Sequence, residues 1–211
     1  MTSHYLEYTV ALPAVESGEI SHLLGRLWQR LHGVLAGANI QHLGISLPRA
    51  GAKHPGNVLR LHSDAETLQA VAANAGIRQL VESAGIVTSA VLPVPTGCAY
   101  RCYTRSRQSE KFSDAWILRS ESRLLQHLEK KGVVLSISEL LARRKRLQER
   151  AAQAKRDAVY IKLQSHSTRQ TFSLLVNTAT VDAACSGQFS HYGLAIGADE
   201  KTPGQATVPF W

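Results

Sequence analysis

The sequence predicts an α+β protein of two domains. Three observations carry the prediction. The N-terminal segments alternate between strand-like and helix-like apolar spacing in the order strand, helix, strand, strand, helix, strand; a Pro- and Gly-marked break follows near residue 95; and the segment after it holds the whole of the positive excess.

Tyr5 to Leu12 reads as the first strand. Ile20, Leu23, Leu24, Leu27, Leu31, Val34 and Leu35 recur at the three-and-four spacing of one buried face, so a helix is expected over 20–36. Ile40 to Leu47 is a second strand, and the Gly- and Pro-rich stretch Pro48 to Asn57 turns the chain into a third, Val58 to His62. Ser63 to Glu66 has the form of a capping box, opening a helix through about Val81, and Ile86 to Leu92 is the fourth strand. This βαββαβ order is that of the ferredoxin-like unit, an antiparallel sheet with helices on one face. Pro93, Pro95 and Gly97 then mark a boundary, giving domains 1–95 and 96–211.

In the second domain, Tyr100 to Gln108 is a strand or extended arm carrying Arg101, Arg105 and Arg107. A helix over Ser113 to Lys131 has Ile117, Leu118, Leu124, Leu125 and Leu128 as its stripe and stops at Gly132. A second capping box, Ser136 to Glu139, leads into a strongly basic helix through about Arg156. A hairpin over 159–164 and 171–177 follows, then short strands around Tyr192 and Val208.

Composition narrows the function classes. With 211 residues, 44% of them hydrophobic, the chain can bury a real core without staples. Cysteines at 98, 102 and 185 form neither a disulfide framework nor a metal-ligand set, which points to a reducing cytoplasm. The N-terminus lacks a signal-peptide pattern, and no stretch approaches the ~20 apolar residues of a membrane span.

Of the net charge of +8, residues 1–100 contribute nothing, with six basic against six acidic side chains, while 101–169 carry seventeen basic and seven acidic. A basic block joined to a neutral domain is the footprint of a polyanion partner, most often nucleic acid. A duplex-DNA reader using the 136–156 helix is less well supported, because no turn and second recognition helix accompany it.

His32 lies on the flank of the first helix's apolar stripe, one turn beyond Trp28 and close to Gly33 and Gly37. From this helix alone its commoner role is a boundary histidine that packs on Trp28 and bonds a carbonyl. The same place suits a titratable ring at a cleft.

Four blocks read together resemble the repeat-processing CRISPR endoribonuclease of subtype I-F. They are Leu31-His32 followed by Leu43-Gly44-Ile45-Ser46-Leu47-Pro48; Tyr100-Arg101 leading to Arg105-Ser106-Arg107-Gln108; Leu163-Gln164-Ser165-His166-Ser167-Thr168 leading to Phe172; and His191-Tyr192-Gly193-Leu194 with a final Val208-Pro209-Phe210-Trp211. Each block is weak alone; their order and spacing together are specific.

The resemblance implies a ferredoxin-like domain followed by a domain with an arginine-rich helix. It implies an enzyme that cuts precursor crRNA at the 3′ base of the repeat stem-loop, turning a ribose 2′-hydroxyl on the adjacent phosphate without metal or other cofactor. By the same resemblance His32 is the base, Ser165 fixes the ribose and Tyr192 orients the site. Ser167 and Thr168 lie near the phosphate, Phe172 stacks on a base, and Arg105 reads a guanine edge, with Arg107 and Gln108 beside it. A-form RNA has a major groove too narrow for side chains, so these arginines are expected to enter where the stem ends. Arg119, Arg123, Arg143, Arg144 and Arg146 are expected along the phosphates. His166 and His191 are further imidazoles near the cut, and His166, next to Ser165 in a strand, is expected to face away. The expected partners are the repeat RNA, the other subunits of a type I-F effector complex and, in transposon-associated systems, transposition proteins. A noncatalytic hairpin-binding protein of the same fold is the alternative.

Overall fold

The computed structural model describes residues 2–10, 17–106, 113–157, 159–164, 170–196 and 205–211. Its first sheet contains β1 (His4–Val10), β2 (Gly44–Ser46), β3 (Val58–Ser63), β4 (Ile86–Thr88) and β5 (Leu92–Pro93). The order is β2-β3-β1-β4, with β5 also on β1 and every pairing antiparallel. Together with α1 (Ser17–Gly37), α2 (Ala65–Ala73) and α3 (Ala75–Ser83) this is the expected βαββαβ unit. Leu6, Tyr8 and Val10 alternate with half-buried residues along β1 and meet Leu24, Leu27, Leu31 and Leu35 of α1 in one core. Each of those α1 leucines is 0% exposed, a burial that stabilises by about 1.5–3 kcal/mol per side chain.

Three expectations need correction. The helix expected from Ser63 through Val81 is two helices, and its cap is Asp64, whose carboxylate accepts from Thr67 N at 2.8 Å. Asn74 ends α2 and caps α3, its Oδ1 accepting from Gly76 N at 3.0 Å and Ile77 N at 3.3 Å. Val71 and Ile77 would stand about 120° apart on an unbroken helix. The break turns both into the core.

The strand expected over 40–47 pairs with β3 only at Gly44–Ser46, because Gln41 instead accepts from Phe189 N at 2.8 Å. The fourth strand is interrupted: three residues, 89–91, lie opposite Leu6 and Glu7, a bulge that Ser89 closes by accepting from Glu7 N and donating to Glu7 O, each at 2.9 Å.

The second sheet, order β7-β8-β6-β9, is built from β6 (Ala99–Ser106), β7 (Val159–Gln164), β8 (Thr171–Val181) and β9 (Val208–Phe210). Val159, Ile161 and Leu163 point alternately into the core, and β7 packs along α1. At Gly25 a Cβ would fall on the carbonyl oxygen of Lys162, so glycine permits that close approach. The core therefore runs through both sheets. Residues 1–105 and 159–211 form one compact unit and 106–158 another, which differs from the division at residue 95.

The second unit contains α4 (Asp114–Glu129) and α5 (Ile137–Asp157). Ser113 caps α4, and Gly132, at φ 66°, turns the chain so that Val133 N reaches Leu128 O at 3.0 Å. The capping box at α5 is present: Ser136 N donates to Glu139 Oε2 at 2.8 Å, and Glu139 N to Ser136 Oγ at 3.3 Å. Polar contacts join the two helices. Arg144 forks onto Glu121 at 3.1 and 2.6 Å, holding that carboxyl below its usual range, and Arg143 donates to Ser120 Oγ at 2.8 Å.

No helix among the described residues is long and apolar enough to cross a membrane.

Candidate active site

α1 presents His32 half-buried at the flank of its apolar stripe, as its register requires. Its Nδ1 lies 3.1 Å from the carbonyl oxygen of His191. A carbonyl only accepts, so Nδ1 carries the proton and the neutral ring keeps its lone pair on Nε2. The carbonyl bond expected of a boundary histidine is present. His32 stacks on Tyr192, with centroids 3.9 Å apart and planes 5° from parallel.

The turn at 190–193 is fixed from several sides. Gly193 N donates to Ser190 O at 2.7 Å and Ile45 N to Gly193 O at 2.8 Å. Gly193 has φ 68°, and a Cβ there would collide with the Ile45 side chain. Trp28, buried one turn before His32, donates its indole N–H to Tyr192 O at 2.9 Å. Two α1 side chains thus secure two successive carbonyls of the turn. His191 Nε2 lies 3.2 Å from Asn39 Oδ1, which accepts, so that nitrogen also holds a proton and is not a free base.

Arg105, near the end of β6, has its guanidinium carbon 5.9 Å from the Tyr192 ring centre. Ala195 N donates to Tyr103 O at 2.8 Å, tying β6 to the same turn. His32, Tyr192 and Arg105 are therefore together. Phe172 stands on β8 opposite Leu163, half-buried against the core, and β7 ends at Gln164. Ser165, His166, Ser167, Thr168, Arg107 and Gln108 lie outside the described residues.

In the second unit Arg119, Arg123 and Arg146 are exposed, and Arg146, Glu149, Arg150 and Gln153 line a shallow concavity on α5. Arg143 and Arg144, which the sequence groups with the phosphate contacts, join the two helices.

A histidine–serine pair is sealed in the first sheet. His62 Nε2 is 2.8 Å from Ser46 Oγ, and burial, followed by the nearby Arg60 charge, pushes the His62 pKa down to about 3. On that face Arg60 holds Glu7 at 2.7 Å and lies 3.7 Å from the Trp211 ring centre, which accounts for the terminal aromatic.

Sequence reasoning did not single out Gln29 or Asn39 and saw Trp28 only as a packing neighbour. Their roles depend on partners more than 130 residues away in the chain.

The family described as "CRISPR-associated protein (Cas_Csy4)" matches residues 5–211. A protein of Escherichia coli (strain UTI89 / UPEC), the CRISPR-associated endonuclease Cas6/Csy4, is 29% identical over 211 residues, covering 99% of each chain. Among solved structures, Thermus thermophilus Cse3 bound to an RNA representing a pre-cleavage complex is 12% identical, covers 98% of this chain and 100% of that one, and has a TM-score of 0.33. The CRISPR endoribonuclease Cse3 bound to a 19 nt RNA is 9% identical, covers 99% of each chain and has a TM-score of 0.31.

Proposed function

This chain belongs to the Csy4 family of CRISPR-associated proteins, and from that membership we propose that it is an endoribonuclease that binds the CRISPR repeat hairpin and cuts precursor crRNA at the 3′ base of the stem. The observation that carries the reading is the His32 tautomer: Nδ1 donates to the His191 carbonyl, which leaves the Nε2 lone pair to take a proton.

His32 Nε2 removes the proton of the ribose 2′-hydroxyl, whose oxygen attacks the adjacent phosphorus. The bond to the 5′-oxygen breaks, that oxygen takes up a proton from solvent while His32 gives its proton back to solvent, and a 2′,3′-cyclic phosphate and a 5′-hydroxyl remain. The nucleophile is the RNA's own 2′-hydroxyl, so the step calls on no metal-bound water for the attack. A positioned base of this kind contributes about 10²- to 10⁴-fold in rate. The Tyr192 ring holds the imidazole plane, and Ser165 orients the ribose. Ser167 and Thr168 donate to the phosphate. Phe172 stacks on a base at the foot of the stem, and Arg105 reads a guanine edge, with Arg107 and Gln108 beside it.

Arg119, Arg123 and Arg146 lie along the phosphates, with Arg143 and Arg144 contributing charge while they join their helices. Contacts upstream of the cut survive cleavage, so the protein stays on the mature crRNA as a subunit of a type I-F effector complex. The free thiols of Cys98, Cys102 and Cys185 suit a reducing cytoplasm.

A repeat hairpin with a single 2′-deoxy nucleotide before the scissile phosphate tests the chemistry. The proposal expects it to bind as the ribose form does and to resist cutting; cleavage at the normal rate would overturn 2′-hydroxyl attack. Binding of both hairpins with cleavage of neither would favour the noncatalytic alternative.

A further inference from the structure

Gln29 follows Trp28 on α1 and precedes His32 by one helical turn, so the two polar side chains stand on neighbouring positions of one helix surface. Its amide nitrogen donates to the carbonyl oxygen of Gln164, and its amide oxygen accepts from Gln164 N at 3.4 Å. A primary amide that meets both backbone groups of one residue acts like a short piece of neighbouring strand, fixing the position and rotation of that residue. It does so on β7, the outer strand of its sheet, at the strand's last residue. One turn earlier, Gly25 brings α1 against Lys162 O. Helix and strand are thus held together at two places, and the second is the residue from which the chain continues into 165.

We propose that Gln29 is a positioning residue for RNA cleavage: its amide fixes the end of β7 to the helix that carries His32. The proposal rests on the reading of Ser165 as the group that orients the ribose. His32 and Gln29 share one helix, so the clamp sets the base and the strand end that leads into Ser165 in one frame. A small misplacement of reacting groups can cost about 10²-fold in rate.

The test is single-turnover cleavage of the repeat hairpin by the full chain carrying Gln29→Met, Ser165→Ala or both. Methionine keeps the length and apolar packing of glutamine and removes both hydrogen bonds. The proposal expects Gln29→Met to slow cleavage by about tenfold to a hundredfold without changing affinity for the 2′-deoxy hairpin. It expects Gln29→Glu, which keeps the acceptor, to fall between. In the Ser165→Ala background, Gln29→Met should cost nothing further, because both changes remove the same alignment. If Gln29→Met leaves the wild-type rate unchanged, weakens binding in step with the rate, or multiplies its full factor onto Ser165→Ala, the positioning role is overturned while the role of Ser165 stands. If Ser165→Ala itself cuts at the wild-type rate, the underlying reading fails and takes this proposal with it.

Discussion

The His32 imidazole lies flat on the Tyr192 ring, with centroids 3.9 Å apart, while the carbonyl of the preceding residue, His191, faces its Nδ1 at 3.1 Å. One turn of chain thereby sets both the plane and the tautomer of the ring. The flat face, not the hydroxyl, makes the contact with His32. Tyr192→Phe should therefore cleave within a few fold of wild type, whereas Tyr192→Ala should lose about 10- to 100-fold at unchanged RNA affinity. Single-turnover rates and binding titrations with the 2′-deoxy hairpin check both.

Gly193→Ala should be destabilising. The left-handed backbone at φ 68° costs a non-glycine residue about 1–2 kcal/mol, and the new Cβ meets Ile45 in addition. Urea unfolding should give a midpoint lower than that of wild type, and cleavage should fall because the turn carries Tyr192.

Arg119, Arg123 and Arg144 should separate by readout. Replacing either exposed residue, Arg119 or Arg123, by Ala should lower the salt dependence of RNA binding by about one unit per lost phosphate contact and leave stability unchanged. Arg144→Leu should also lower the melting temperature, because it leaves the Glu121 carboxylate, 7% exposed, without its guanidinium. Binding measured against salt, with melting curves of each variant, distinguishes the two roles.

Stability should fall as pH drops below the ordinary histidine range, in part through His62. Its folded pKa is depressed to about 3 from 6.5, so between those values the unfolded chain binds the proton and the folded one does not. Stability from this group is complete above pH 6.5 and is lost progressively as pH falls toward 3, reaching about 2 kcal/mol by pH 5. Unfolding free energies at pH 7.5 and 5 should differ less, by about that amount, in His62→Gln, which is neutral throughout.

The parts of this fold that show in the sequence are those set by local periodicity. The leucine stripe of α1 and the alternation of Val159, Ile161 and Leu163 each needed only neighbours along the chain. The break at Asn74 was hidden because Asn within an Ala-rich helical run reads as a tolerated substitution, and only the shared core shows why the axis must turn. Arg143 and Arg144 sit in a charge run that looks uniformly solvated; their partners Ser120 and Glu121 belong to another helix. At the site, the register of α1 marks His32 as a flank histidine, while its role as base and the choice of Tyr192 come through resemblance. The bonds that hold them, from Trp28 and from the His191 carbonyl, depend on long-range register that no local pattern carries.

The most direct test of the central claim, that His32 is the base of a metal-independent cleavage, is end mapping of the repeat hairpin after incubation in EDTA with wild type and His32→Ala. Wild type should leave a 2′,3′-cyclic phosphate at the 3′ base of the stem and a 5′-hydroxyl downstream, and His32→Ala should bind unchanged without cleaving. Equal cutting by His32→Ala, or a wild-type enzyme silent until a divalent ion is restored, would contradict it.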